Sequence, residues 1–172
     1  MDFFDVIRNR RSIRLFQDRP VEQEKLQAVL EAADAAPSAG NLQAYEIYLV
    51  QDPAARMRLA STLPRMEFFA DVPVVLVFCA NPERSVIRYG DRGRSLYALQ
   101  DATIACTQAM LAATALGLAT VWVGAFHEEA VTDALHLPGT IRPAALLPLG
   151  YPGETVEARK RRTLGDLVHP VR

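Results

Sequence analysis

Two short basic clusters carry the chemistry that stands out in this chain. Near the start runs Arg10-Arg11-Ser12-Ile13-Arg14-Leu15-Phe16, and near the end Arg159-Lys160-Arg161-Arg162. The formal net charge over 172 residues is only -1, so these clusters are local features and not part of a generally basic surface. If the fold joins the two ends, they make one focused anion site. A phosphate monoester then suits it, because guanidinium forks and a Ser hydroxyl match its oxygens. If the ends stay apart, they are two separate solvated charge runs.

The elements that position them follow from periodicity. Asp2 caps a helix to about Asn9, whose Phe3, Val6 and Ile7 share a face. Leu26, Val29, Leu30 and Ala33 recur at helical spacing, which predicts a helix over 22–35 ended by Pro37. Ser38-Ala39-Gly40-Asn41 is turn chemistry, with Gly and Asn able to take left-handed angles. A strand is expected over 46–50, and a helix capped by Asp52 over 53–63. Residues 74–79 form a continuous apolar, β-branched run, read as a central strand. The polar stretch 81–94, with Pro82, Gly90 and Gly93, reads as a long connection, a candidate mobile lid. A long helix follows over 96–116, apolar on most faces and therefore buried in a core or between subunits. Strands over 119–123 and 144–149 flank a short helix over 128–135, and Gly150-Tyr151-Pro152-Gly153 turns into the basic tail. Helices and strands alternate, and the sheet should be covered by helices. Its strand order cannot be read from this pattern.

Composition narrows the class. Hydrophobic residues make up 50% and charged residues 23%, as in an ordinary soluble protein, and the length fits one domain over 1–172. Cys79 and Cys106 lie far apart in apolar segments, which reads as two buried free thiols and points to a reducing, cytoplasmic setting. The uncharged stretch 102–126 is long enough to span a bilayer. It is rich in Ala and Thr and broken by Gly117, so it reads as a buried helix and a strand, with no membrane partner. His127, His136 and His169 form no sequence-local metal motif, and there is no Gly-x-Ser-x-Gly. Near-neutral charge and the lack of a recognition-helix motif argue against nucleic acid. Tyr89 and Tyr97 read equally as substrate contacts from the 81–94 segment or as ordinary surface aromatics. Trp122 reads as core.

Three segments in this order, the 10–16 cluster, Pro37-Ser38-Ala39-Gly40-Asn41-Leu42-Gln43 and Lys160-Arg161-Arg162, resemble the nitroreductase family of flavoenzymes. Gly117-Leu118-Ala119-Thr120-Val121-Trp122-Val123-Gly124 is similar to that family's helix-to-strand passage beside the flavin. Leu149-Gly150-Tyr151-Pro152 is similar to its late strand and turn. The chain departs from a common family form in having Gln43-Ala44-Tyr45 after the Asn where Gln-Pro-Trp is usual. Its 81–94 region is also short beside larger members.

The resemblance implies an α+β fold, with a central mixed, mainly antiparallel sheet flanked by helices. It implies an obligate homodimer built on a long buried central helix, with FMN at the subunit interface touched by both chains. Carried over residue by residue, Arg10, Ser12, Arg14, Lys160 and Arg162 hold the phosphate and the ribityl-side polar groups. Arg11 faces the pyrimidine end or the ribityl chain. Pro37, Ser38, Ala39 and Asn41 line the isoalloxazine ring from the partner subunit, and Val123 and Gly124 place backbone near N5 and O4. Arg65 falls where some relatives make a flavin contact and is left open. No protein residue is expected to act as catalyst, since the cofactor carries the hydride and the protein holds and tunes it.

The implied function is an FMN-dependent oxidoreductase. It passes hydride from NADH or NADPH to a small-molecule acceptor, a nitroaromatic, quinone or similar conjugated compound, by ping-pong kinetics. A specialised dehalogenase, dehydrogenase or flavin-fragmenting member, and a non-catalytic flavin-binding module, are the alternatives.

Overall fold

The structure, a computed structural model, describes residues 1–64 and 66–171; Arg65, the open flavin contact, lies outside them. The chain begins with α1 (Phe3–Asn9), whose N-terminus is closed by the Asp2 carboxylate accepting the Asp5 N–H at 2.9 Å. Next come α2 (Gln23–Asp34), β1 (Tyr45–Val50) and α3 (Pro53–Ser61), the last with Asp52 accepting the Ala55 N–H and Pro53 in the first turn. Then follow β2 (Val74–Ala80), α4 (Pro82–Arg92), α5 (Ala98–Ala115), β3 (Ala119–Thr120), α6 (Glu128–Leu135), β4 (Arg142–Gly150) and α7 (Leu164–Leu167).

The four strands are ordered β1-β2-β4-β3, each pair antiparallel, and a parallel bridge from Ser12 to Thr120 extends the β3 edge. β2 is central, and all seven of its residues are buried, as the unbroken apolar run predicts. Its side chains alternate between two cores. Leu76 and Phe78 pack with Leu26 and Val29 of α2, Ala105 and Ala109 of α5, and Leu147. Val75, Val77 and Cys79 pack with Leu59 of α3, Val131 of α6, Phe69 and Leu146. The sheet is thus covered on both faces.

α5 presents Ala98, Asp101, Ala102, Ala105, Cys106, Ala109 and Ala113 inward. Small side chains at helical spacing let its backbone lie close to the sheet. It ends at Gly117, which takes φ 74, while Leu118 N–H reaches back to the Ala113 carbonyl at 2.8 Å. That is a Schellman closure, which favours glycine because the position is left-handed. Gly117 therefore does separate helix from strand.

Two expectations are corrected. The 81–94 stretch is α4 for most of its length and not a loop. α4 is kinked at Gly90 (φ 55, ψ -142) and runs through a π-helical turn, Gly93–Tyr97, into α5. Pro82 suits a first helical turn, and the polar residues mark a solvated face; turn residues and polarity were misleading signals. The strand expected over 119–123 keeps only Ala119–Thr120, with Val123 rejoining the sheet through an isolated bridge to Leu146. Of the shared face on α1, Val6 alone is buried, while Phe3 and Ile7 are exposed.

Candidate functional site

The fold joins the two ends of the chain. After α1, residues 11–14 run beside β3. Ile13 donates its N–H to the Thr120 carbonyl at 3.0 Å and is buried, which leaves its neighbours Ser12 and Arg14 less enclosed. The returning tail is fastened to the same segment. Glu154 Oε1 accepts the N–H groups of Arg14 (2.6 Å) and Leu15 (3.0 Å), and Gly153 N–H reaches the Leu15 carbonyl at 2.8 Å. Arg11 Nε reaches the Val156 carbonyl at 3.1 Å, and its Nη1 holds the carbonyls of Arg8 and Arg10.

A cavity of about 640 Å³ results, lined by Ile7, Arg8, Arg10, Arg11, Ser12 and Arg14 from the N-terminal side and by Val156, Glu157, Ala158, Arg159 and Arg161 from the tail. Among the described residues Glu157 is its single carboxylate, against six arginines. Arg8 is paired to Asp5 at 2.7 Å. Burial, then the charges of Arg161 and Arg11, press the Arg10 guanidinium below its ordinary proton affinity. Crowded cations of this kind lack a counter-charge, and a dianionic phosphate supplies one. Arg10, Arg11, Ser12 and Arg14 thus stand together as expected. From the tail, Arg159 and Arg161 face the cavity, whereas Lys160 and Arg162 do not line it; the Arg162 guanidinium donates instead to the Asp166 carbonyl.

A second cavity, about 550 Å³, is walled by Pro37, Ser38 and Ala39 on one side and by Tyr97, Leu99, Gln100, Asp101, Thr103 and Ile104 on the other. Its lining is mainly apolar, as a flat aromatic ring requires. The 38–44 turn that shapes it is tightly constrained. Gly40 (φ 59), Asn41 (φ 55) and Gln43 (φ 48) are all left-handed, and Ser38 Oγ accepts the Gln43 N–H at 3.0 Å. Asn41 belongs to this turn but does not line the cavity.

Asp101 anchors the turn from α5, and the sequence reading missed it. The residue is 2% exposed, and its carboxylate accepts the N–H of Ala39 at 3.0 Å through Oδ1 and that of Ala44 at 3.2 Å through Oδ2. One signal was present: a lone acid on the same stripe as Ala98, Ala102 and Ala105 needs a buried hydrogen-bond partner.

Val123 and Gly124 follow β3. Both backbone groups of Val123 are engaged with Leu146, at 3.0 and 2.9 Å, so its N–H is committed to the sheet. Gly124 is exposed, and its N–H has no partner among the described residues. Trp122 packs against the α2–α5 core. Among the described residues no group of three or more His, Cys, Asp or Glu could hold a metal, and no helix is long and apolar enough to cross a membrane.

The residues therefore fit FMN in two parts: an arginine-rich phosphate pocket with a Ser hydroxyl, and a separate apolar slot. Among the described residues the two cavities share no lining residue.

Comparison with known proteins agrees. The chain is 33% identical over 172 residues to an "FMN reductase (NAD(P)H)" of Bacillus subtilis, covering 92% of this chain and 69% of that protein. It is 30% identical over 166 residues to an "oxygen-insensitive NADPH nitroreductase" of Salmonella typhimurium, again covering 92% and 69%. The crystal structure of nitroreductase A from Vibrio parahaemolyticus superposes with a TM-score of 0.91 at 28% identity, over all of this chain and 77% of that one. The model of the nitroreductase family matches residues 7–63 and 59–151. With its two-sided α+β sheet, its long central helix and this pair of cavities, the chain belongs to the nitroreductase family.

Proposed function

We propose that two copies of this chain, each a single domain over 1–172, form two equivalent FMN sites that serve NAD(P)H and a conjugated electron acceptor in turn. The chain is an NAD(P)H-dependent flavoprotein oxidoreductase of the nitroreductase type. When bound, FMN supplies a ring that takes up hydride and hands it on. The protein's part is to hold, orient and screen. Arg10, Ser12, Arg14 and Arg161 grip the phosphate, with Arg159 at the rim. Pro37, Ser38 and Ala39 of the partner chain wall the ring. Gly124 offers a backbone N–H at the sheet edge. Donor and acceptor share one slot, so a ping-pong order follows, and nitroaromatics or quinones fit its flat apolar shape. A reducing, cytoplasmic setting suits the two buried free thiols, Cys79 and Cys106.

The observation that carries this reading is the gathering of arginines from both ends of the chain around one cavity, away from the apolar slot. Two half-sites on one chain argue for assembly across a two-fold axis. Exposure supports the same conclusion. The chain has 10191 Å² of accessible surface, where a compact monomer of 19.0 kDa exposes about 8,400 Å². The excess includes Phe3 (62% exposed) and Phe4 of α1, and Leu164, Leu167 and Val171 (97%) of the tail.

Titration of the apoprotein with FMN and with riboflavin tests the site. Arg161→Ala should weaken FMN about tenfold or more, since one charge-assisted contact is worth about 1.5–3 kcal/mol, and leave riboflavin unchanged. Equal loss of both flavins would remove the phosphate from this pocket. Parallel reciprocal plots at several acceptor concentrations are expected, and intersecting ones would contradict a shared slot.

A further inference from the structure

α4 and the turn after it bring more positive charge to the apolar slot than holding a flavin requires. Residues 81–97 carry Arg84, Arg88, Arg92 and Arg94 against only Glu83 and Asp91. Two of these arginines have structural work. Arg84 Nε donates to the Leu42 carbonyl at 3.0 Å, and Arg94 pairs with Glu83 at 2.6 Å. Arg88 and Arg92 pair with no carboxylate among the described residues, Asp91 included.

Both lie against the wall of the slot. Arg92 donates through Nε to the Tyr97 hydroxyl at 2.9 Å, and Tyr97 lines the cavity. The Arg88 guanidinium and the Tyr89 hydroxyl press on Gly40, next to the lining residue Ala39. A Cβ at Gly40 would stand 2.9 Å from Arg88 Nη1 and 2.5 Å from Tyr89 Oη. Tyr89 and Tyr97 pack edge to face at 5.1 Å, and each has a guanidinium near its ring, at 5.5 Å for Arg88 and 5.4 Å for Arg92. Aromatic partners hold a guanidinium in place without neutralising it, so the forks stay available to an anion.

We propose that Arg88 and Arg92 form an anion-selecting rim on the ring cavity, which favours redox partners carrying a phosphate, carboxylate or sulfonate beyond the ring that enters the slot. This rests on the flavin reading above. The anion comes either from the nucleotide donor, through its phosphates, or from an acidic substituent on the acceptor.

The test uses FMN-loaded protein as wild type, as the double variant Arg88→Gln/Arg92→Gln, and as Arg88→Lys/Arg92→Lys. FMN titration comes first and should give equal affinity in all three. Binding of NADP⁺, which cannot reduce the flavin, is then followed by calorimetry at low and high salt. Reduction is measured with NADPH and with the uncharged donor 1-benzyl-1,4-dihydronicotinamide. Reoxidation is measured with anthraquinone-2-sulfonate and with menadione.

If the rim reads the donor, the Gln variant binds NADP⁺ about tenfold more weakly, in line with the loss of a charge-assisted contact. It also loses rate with NADPH but not with the neutral donor, and the Lys variant recovers part of both. If the rim reads the acceptor, only the sulfonated quinone is affected. Equal effects on charged and neutral partners, or none, overturn the proposal, as does loss of FMN in the Gln variant. Wild-type protein that takes up no FMN is a distinct failure, of the flavin reading itself, and overturns this inference with it.

Discussion

Asp101 holds the turn at Ala39 from the far side of the slot: its Oδ1 accepts the Ala39 N–H at 3.0 Å while its other oxygen accepts that of Ala44 at 3.2 Å. The two bonds tie the left-handed turn to the central helix. Asp101→Asn keeps the shape but replaces one acceptor with a donor that faces another donor. We expect about 1–3 kcal/mol less stability, the cost of a buried unpaired N–H, together with weaker FMN binding. Urea unfolding and flavin titration measure both. Unchanged FMN affinity would mean that the turn does not depend on this anchor.

Gly93 tests the packing of the 81–97 segment. A Cβ there would stand 2.6 Å from the Ser85 carbonyl oxygen, a backbone atom that cannot swing aside. Its φ of -62 is ordinary, so the clash is purely steric. Gly93→Ala should cost about 1–3 kcal/mol, as overpacking does. Gly139→Ala, with nothing within 4 Å of the new methyl, should be close to neutral. Equal denaturation midpoints for the two variants would count against the tight crossing.

Glu22 gives the protein a feature of acid stability. The Tyr151 hydroxyl, donating at 2.5 Å, and then Arg19 and Lys25 hold its carboxyl at about 2 against an ordinary 4.5. A carboxylate depressed on folding stabilises the native state above its unfolded value. That contribution is lost as pH falls through the folded value. Wild type should therefore lose stability relative to Glu22→Gln between about pH 4.5 and pH 2. Parallel pH profiles of the urea midpoint over that window would refute the link.

The thiols should be silent in the native protein. Burial pushes Cys79 up to about 12 and raises Cys106 as well. A thiol-specific disulfide reagent at mildly alkaline pH should label neither until urea is added. Rapid labelling of the folded protein would place one of them at the surface.

Removal of the tail after Val156 deletes Arg159, Arg161 and the exposed apolar residues of α7 and beyond. The shortened chain should sediment as a monomer and retain no FMN. A dimer that keeps its flavin would show that the tail serves neither purpose.

Much of this protein was legible in local patterns. The caps at Asp2 and Asp52, the all-buried strand β2, the stop at Gly117 and the left-handed turn around Gly40 follow from short-range rules. Steric limits and helix-end hydrogen bonds act between residues a few positions apart. The arginine-rich cluster was legible as residue types. Tertiary structure alone decided which arginines converge: Arg159 and Arg161 face the cavity where Lys160 and Arg162 were expected, because the tail's orientation is set by its docking through Glu154 and Val156 onto a segment about 140 positions earlier. It likewise turned polar residues 82–92 into a helix and paired Asp101 with a turn some 60 positions away. A residue's partners across such separations depend on how sheet and helices stack, which a linear pattern does not encode.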